Sequence, residues 1–419
     1  MPKPIPGSSY TVVDGDSLSL IAAKAYGDPS RWPEINQANI KIFKNDDPNI
    51  IFPGEVLFIP EDATRENLKS IQRARATALG SIDDNSLTLT INGVKIPVLT
   101  ANILITMDTL SDTFTASFAW NPGKDIRIDN AIKPYRYPVT TVHLGKKLIF
   151  TGIIYNPQKK LSNRGRIVTV TGYSKIADFI DSSLKPPYSI ENVTLQQRAT
   201  SLLAPYGVLL QYELGTDSQY KRVTAESTET GASHLLKLVS QRGALITSTP
   251  EGNLKIYKSS NSGPTMGTLD EENSIVLDWS GSWDGRKRFA SYKAISQSPL
   301  NNGSFAVASD VNVSRPRSIT FKANDTSDGD AQQAAFWKRS KTLANALSQK
   351  LPLRGWYAPN GQLLEVNKFI TVSSPTLQIK GYNFLIKNIE YVYGNNILSN
   401  INIVPPQVFN GKDIVDPWQ

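Results

Sequence analysis

The chain has 419 residues, more than one ordinary core accommodates, so its length alone points to about three domains. Hydrophobic residues make up 40% and charged residues 20%, as in soluble globular proteins, and no apolar run approaches the ~18 residues a membrane helix needs, which excludes helical membrane insertion. Cysteine is absent, which excludes disulfides, thiolate metal sites and cysteine nucleophiles, while 45 Lys and Arg against 37 Asp and Glu leave a thin excess of +8 that fits polyanions or acidic protein surfaces as partners.

The opening MPKPIPGSSY has prolines where a secretory signal has an apolar run, so no Sec export is expected, and the lack of cysteine fits assembly in a reducing cytoplasm. The next stretch, YTVVDGDSLSLIAAKAYGDPSRWPEINQAN, reads as a strand and two short helices. Asp16 or Ser17 can cap the first helix, Leu18, Ile21, Ala22 and Ala25 line one face of it, and Gly27 ends it. A second helix holds Trp32, Ile35 and Asn39, and in NIIFPGEVLFIP Leu57 and Ile59 alternate with Val56, Phe58 and Pro60. With YTVV as the partner strand, the pattern predicts a β-α-α-β unit.

DGDSLSLIAAKAYGD, WPEINQAN and PNIIFPGEVLFIP together resemble the LysM domain over residues 8–61. The resemblance implies a groove between two loops, here Gly15, Asp16, Ser17 and Leu18 on one side and Asn49, Ile50, Ile51 and Phe52 on the other. Backbone groups and small side chains there would hydrogen-bond an N-acetylglucosamine polymer, although one exposed groove serves equally as a protein adaptor.

Residues 62–80 form a charged linker, or a docking helix, and Leu68 and Ile71 are the only large apolar residues of its stretch 61–78. From residue 81 the period becomes two. Leu87, Leu89 and Ile91 lead to Asn92-Gly93, and Val94, Ile96 and Val98 lead away, the signature of a hairpin with a type I′ turn. Further strands in NILITMD, TFTASFAW, TTVHLGKKLIFTGIIYN and GRIVTVTGY, then helical spacing of Ile176, Phe179 and Ile180, predict a small barrel or curved sheet over 81–182.

Two helix-Gly-strand units follow, TLQQRATSLLAPYG into VLLQYEL and HLLKLVSQRG into ALITSTPEGNLKIYK, with a turn at Pro250–Asn253, and predict an inserted α+β domain over 183–264. A second, discontinuous β domain is expected over 265–300 and 365–408. It is interrupted at 301–364 by a helix-containing insert in which Phe336, Leu343, Leu347 and Leu351 share one face and Asp330 pairs with Gln333 as a cap, and residues 409–419 form a tail. The fold class is α+β and multidomain: a β-α-α-β LysM domain, then two tube-like β-barrel domains with inserted α+β domains.

SWDGRKRFASYKAISQS and the run from VSRPRSITFKAN to IEYVYGNN resemble the gp27-like baseplate hub proteins of contractile phage tails, and the Mu-type hubs in particular. Arg315-Pro316, Asp325 to Asp330, Trp337, Gly355-Trp356 and Gly361 carry the likeness, whose order of parts spans residues 81 to 408. It implies a structural, trimeric ring of paired tube-like domains that adapts a six-fold tail tube to a three-fold spike. Implied partners are the tail tube protein, the spike, baseplate wedge or sheath-initiating proteins, and tape-measure protein or DNA in the channel. The setting is the virion baseplate, assembled in the host cytoplasm, or a genome-free injection particle. LysM then fastens the hub to other baseplate components or touches peptidoglycan. The rival reading is a peptidoglycan-binding tail protein or lysin.

Catalysis finds little support. Only His143 and His234 exist, without HExxH spacing, and no phosphate loop, dinucleotide fingerprint or nucleophile elbow occurs, so neither an enzyme nor a cofactor is expected. Asp278 and Asp284 flank Trp279 and Trp283 in the manner of a sugar-cleaving pair, but strand ends carry such residues routinely. Arg286, Lys287 and Arg288 beside Phe289 and Tyr292 form the sharpest basic cluster. A sticky lining would oppose DNA sliding through a conduit, so the cluster is expected at an acidic neighbour or a subunit interface. Trp337, Trp356 and Tyr357 read as core.

Overall fold

The computed structural model describes residues 3–39, 51–60, 85–162, 165–260, 262–272, 275–295, 305–322, 331–409 and 415–418, and the chain divides into two compact units, Met1–Thr77 and Ala78–Gln419. The expected linker at 62–80 lies outside the described residues.

The first unit runs β1 (Ser8–Thr11), α1 (Leu18–Tyr26), α2 (Trp32–Asn39) and β2 (Val56–Ile59). β1 and β2 pair antiparallel from Ser8↔Ile59 to Thr11↔Val56. That register turns Tyr10, Leu57 and Ile59 onto Leu18, Ile21, Ala22 and Ile35 and leaves Val56 and Phe58 outside. Buried Asn39 ties α2 to β2 by donating to Ile35 O and Phe58 O and accepting from Phe58 N–H. Ser17 rather than Asp16 caps α1, its Oγ accepting from Leu20 N–H at 3.3 Å, and Gly27, at φ 72°, closes the helix by donating to Ala23 O at 3.0 Å. Ser17→Ala should therefore weaken α1 by about 1 kcal/mol, read as a several-fold faster hydrogen exchange of its amides.

The second unit opens with β3 (Leu87–Ile91), β4 (Val94–Ile96), β5 (Thr100–Thr106), β6 (Thr113–Ala119), α3 (Ile126–Ala131), β7 (Val139–Leu144), β8 (Lys147–Ser162) and β9 (Gly165–Ser174). Asn92 and Gly93 both have positive φ, 50° and 78°, as a type I′ turn between β3 and β4 requires. After α4 (Ala177–Asp181) come β10 (Ser189–Val193), α5 (Leu195–Leu203), β11 (Leu210–Tyr212), β12 (Tyr220–Thr224), α6 (Gly231–Gln241), β13 (Leu245–Ser248) and β14 (Leu254–Tyr257). These build a β10-β12 pair and a β11-β14-β13 sheet around a core of Leu195, Leu203, Leu235, Leu254 and Ile256. Thr194 and Gln197 make a reciprocal capping box at α5.

The rest comprises β15 (Thr265–Asp270), β16 (Ser291–Ile295), β17 (Phe305–Ser309), β18 (Ser318–Lys322), α7 (Ala331–Ala346), β19 (Gln349–Arg354), β20 (Phe369–Ser374), β21 (Ile379–Tyr393) and β22 (Leu398–Val404). Two elements sit differently from the sequence expectation. β16, inside the expected 265–300 segment, pairs with β17 and β18 in a separate sheet whose Tyr292 and Ala294 pack with Ala331 and Ala335 of α7. β19, inside the expected 301–364 insert, pairs instead with β22. Leu351 accordingly belongs to β19 and not to the helix, which ends at Ala346; Pro352 steers its predecessor to extended backbone. Asp330 and the Gln333 side chain lie outside the described residues.

Both β modules belong to one twelve-stranded sheet, continuous where β5 pairs with β21, and share one core. Within it they follow one plan. Across the sheet the first module runs β3, β7, β8, β9, β6, β5, and the second runs β15, β20, β21, β22, β19 and then residues 275–277, bridged at Val276↔Leu353. Order along the chain matches as well. β8 and β21, 16 and 15 residues long, each pair first with the preceding strand and then with the following one, and each breaks register at an Ile-x-Asn step, Ile154/Asn156 and Ile386/Asn388. Ile154 N–H donates to Pro138 O at 3.2 Å and Ile386 N–H to Lys368 O at 2.9 Å, next to Tyr137 and Asn367 in left-handed conformations at φ 48° and 59°. One departure stands out: β3 is antiparallel to β7, whereas β15 is parallel to β20.

Candidate functional site

Little of the predicted LysM groove is open. Gly15, at φ 82°, has open space where a Cβ would stand. Asp16 is spent within the loop, accepting from Tyr10 OH at 2.8 Å, Val13 N–H at 3.1 Å and Lys24 Nζ at 2.7 Å. Burial pushes its carboxyl up, but the Lys24 ammonium, the Tyr10 hydroxyl and the Val13 N–H outweigh that and hold its pKa below the ordinary carboxylate value. Ser17 is the cap, Leu18 is core, and Ile51 packs against the core. Asn49 and Ile50 lie outside the described residues. Phe52 remains, half exposed, with its N–H on Glu55 Oε2. Leu20 is equally exposed; its place off the apolar face of α1 was the signal for it in the sequence. Among the described groove residues, what remains accessible is thus the Phe52 side chain and loop backbone.

The basic cluster divides. Arg288 is mostly buried, donating to Asp310 at 2.7 and 3.3 Å and to Asp416 at 3.2 Å, so it is an internal strut and not an interface group. Arg286 lies exposed and clamped on Asp284, whose carboxyl is pushed far down chiefly by that guanidinium; Lys287 is exposed. Asp278 accepts from Ser280 Oγ. Asp284 of the sugar-cleaving imitation is thus not poised as an acid. Trp356 is fully buried, and Trp337 and Tyr357 pack against core clusters. His143 stands in β7 opposite Thr88, and buried His234 lies 3.8 Å from Glu229. Among the described residues no group of three His, Asp or Glu could hold a metal.

Two features escaped the sequence reading. The first is a buried polar knot between the first β module and the 183–264 domain: Asp112 accepts from Thr106 N–H at 2.9 Å and from Ser248 Oγ, Ser248 and Ser174 share a 2.9 Å bond, and Thr247 Oγ1 donates to Thr106 O at 2.6 Å. Nothing local marks these residues. The second is the second half of β8. β9 covers one side of Asn156–Leu161, and among the described residues no strand is registered on the other. Pro157 and the Lys159-Lys160 pair in a strand-period run were its signature, because edge strands carry prolines and lysines.

Residues 176–258 match the family described as baseplate hub protein gp44-like, second domain, and residues 10–60 match the LysM domain. The baseplate hub protein gp44 of Escherichia phage Mu is 26% identical over 289 residues, which cover 64% of this chain and 75% of that protein. The 43 kDa tail protein of prophage MuSo2 from Shewanella oneidensis has a similar fold, with a TM-score of 0.68 at 22% identity over 77% of this chain and 99% of that one. A tail protein from Neisseria meningitidis MC58 gives 0.66 at 16% identity over 77% and 97%. In fold and in these matches the chain is thus similar to phage-tail hub proteins. More particularly, the chain resembles the Mu-type baseplate hubs and adds a LysM domain in front of that plan.

Proposed function

We propose that the chain is the structural hub of a contractile tail baseplate, acting as a trimeric ring and not as a catalyst. The carrying observation is the repeated strand plan of the two β modules, residues 81–182 and the later β segments around 265–408. Two like modules per chain let three copies present six similar positions to a six-fold tail tube and three to a spike. The ring's channel passes DNA or tape-measure protein, the 183–264 domain and the β16–β18 insert widen it, and wedge or sheath-initiating proteins surround it in the virion. LysM reaches those neighbours through its exposed Leu20 and Phe52. Native mass measurement with and without the cognate spike tests the ring: a three-chain species is expected, and a single chain under both conditions overturns it. Pull-down on insoluble peptidoglycan separates the roles of LysM, since the adaptor reading expects the protein in the supernatant and a wall-binding protein would sediment.

A further inference from the structure

The two modules meet inside the chain along a single seam, and the same plan leaves its counterpart open. In the closed seam, β5 lies antiparallel against the second half of β21, from Asn388↔Thr106 to Tyr393↔Ala101, and Met107 N–H donates to the bulged Lys387 O at 3.0 Å. The first module's equivalents of β21 residues 388–393 are β8 residues 156–161, by the shared Ile-x-Asn break. The second module's equivalent of β5 begins at residues 275–277, held on β19 by Leu277 N–H to Pro352 O and Arg354 N–H to Ile275 O, both 2.8 Å. Its continuation, residues 278–283, reads DWSGSW; it has no strand pairing among the described residues and is largely exposed, Trp283 at 49%.

We infer that the open side of β8 at Asn156–Leu161 takes residues 278–283 of a second copy of this chain as its antiparallel neighbour. This rests on the ring reading above and assigns its seam. The β8 side and the 275–283 side are opposite ends of one file of strands, β8, β9, β6, β5, β21, β22, β19 and 275–277, so copies join head to tail. Head-to-tail contacts make rings when the rotation closes, and three such files are more than enough strands to leave a lumen.

Charge and backbone chemistry agree. β8 offers Lys159 and Lys160, and the arriving stretch opens on Asp278, Asp284 at its far end being paired with Arg286. Transferring the parity of the closed seam aims the N–H groups of Lys159 and Leu161 outward, with the Tyr155 carbonyl in the place of Lys387 O. Pro157 falls at the third outward position, where it lacks an N–H, so the seam forms with one bond fewer than its internal counterpart. The ring of Tyr137, packed 5.6 Å from Tyr155 and half exposed, flanks the start of this edge.

Because the chain has no cysteine, introduced pairs report this contact alone. The transferred register sets Lys160 opposite Ser280 at a non-hydrogen-bonded position, where the Cα spacing suits a disulfide. Oxidised K160C/S280C protein should run on a non-reducing denaturing gel as a ladder ending at three chains, while K160C and S280C alone stay single. Lys159→Pro, which deletes one outward N–H, should shift the native assembly towards single chains without lowering the unfolding temperature. If the wild-type protein forms three-chain species but K160C/S280C does not crosslink, the seam is wrong and the ring stands. A wild-type protein that stays single with its spike present overturns both.

Discussion

Trp356→Ala is expected to destabilise the Ala78–Gln419 unit by about 3–5 kcal/mol, the usual cost of emptying a large aromatic site in a core. Trp356 is 0% exposed, and its indole Nε1 donates to Val392 O at 3.2 Å on the strand that joins the two modules. Its ring lies 6.1 Å from that of Tyr393 and belongs to the core that also holds Leu353, Leu364 and Ile389. Truncation thus leaves a cavity and strips one bond from β21. Trp356→Phe keeps most of the volume and loses mainly the N–H, so it should cost less than half as much. Urea midpoints followed by far-ultraviolet circular dichroism decide the matter; a Trp356→Ala midpoint equal to that of wild type would mean the site is not core.

The second large effect is one of pH. Burial pushes the Asp112 carboxyl up to about 7, against the Ser248 and Thr106 hydrogen bonds that pull it down. A folded-state pKa above the unfolded value means that the folded chain holds this proton more tightly. Its contribution is therefore complete below the unfolded pKa near 4 and is lost as pH rises through about 7, and the span corresponds to about 4 kcal/mol. His234 runs the other way. Burial, then the Arg198 charge, push it down to about 4, so its contribution is present above about 6.5 and is lost as pH falls through about 4. The two slopes oppose each other between pH 4 and 6.5. Asp112→Asn removes one of them, so the variant's stability should climb from pH 4 to 6.5 and exceed wild type at pH 8 by up to about 3 kcal/mol, allowing about 1 for imperfect amide bonding. Urea midpoints at pH 4.5, 6 and 8 report it, and parallel curves for the two proteins would contradict this assignment.

What could be read in the sequence was whatever is written locally. The Asn92-Gly93 turn and the face of Leu18, Ile21 and Ala22 each sit within a few residues of their partners. β16 and β19 exchanged places because alternation says that a strand exists and not which strand it joins. Partners far apart left no local trace: Ser248 and Asp112 are separated by 136 positions and Arg288 and Asp416 by 128. The same holds for the expected groove, where the LysM pattern gave no sign that Asp16 is consumed by Tyr10 and Lys24.

Pro157 has a bearing on what the open margin of β8 can pair with. A naked strand margin invites any passing peptide, and a crowded producing cell supplies many. With one donor missing and two ammonium groups alongside, this margin is a poor template for indiscriminate stacking. Pro157 and the two lysines therefore lower the tendency of this margin to pair with unrelated strands.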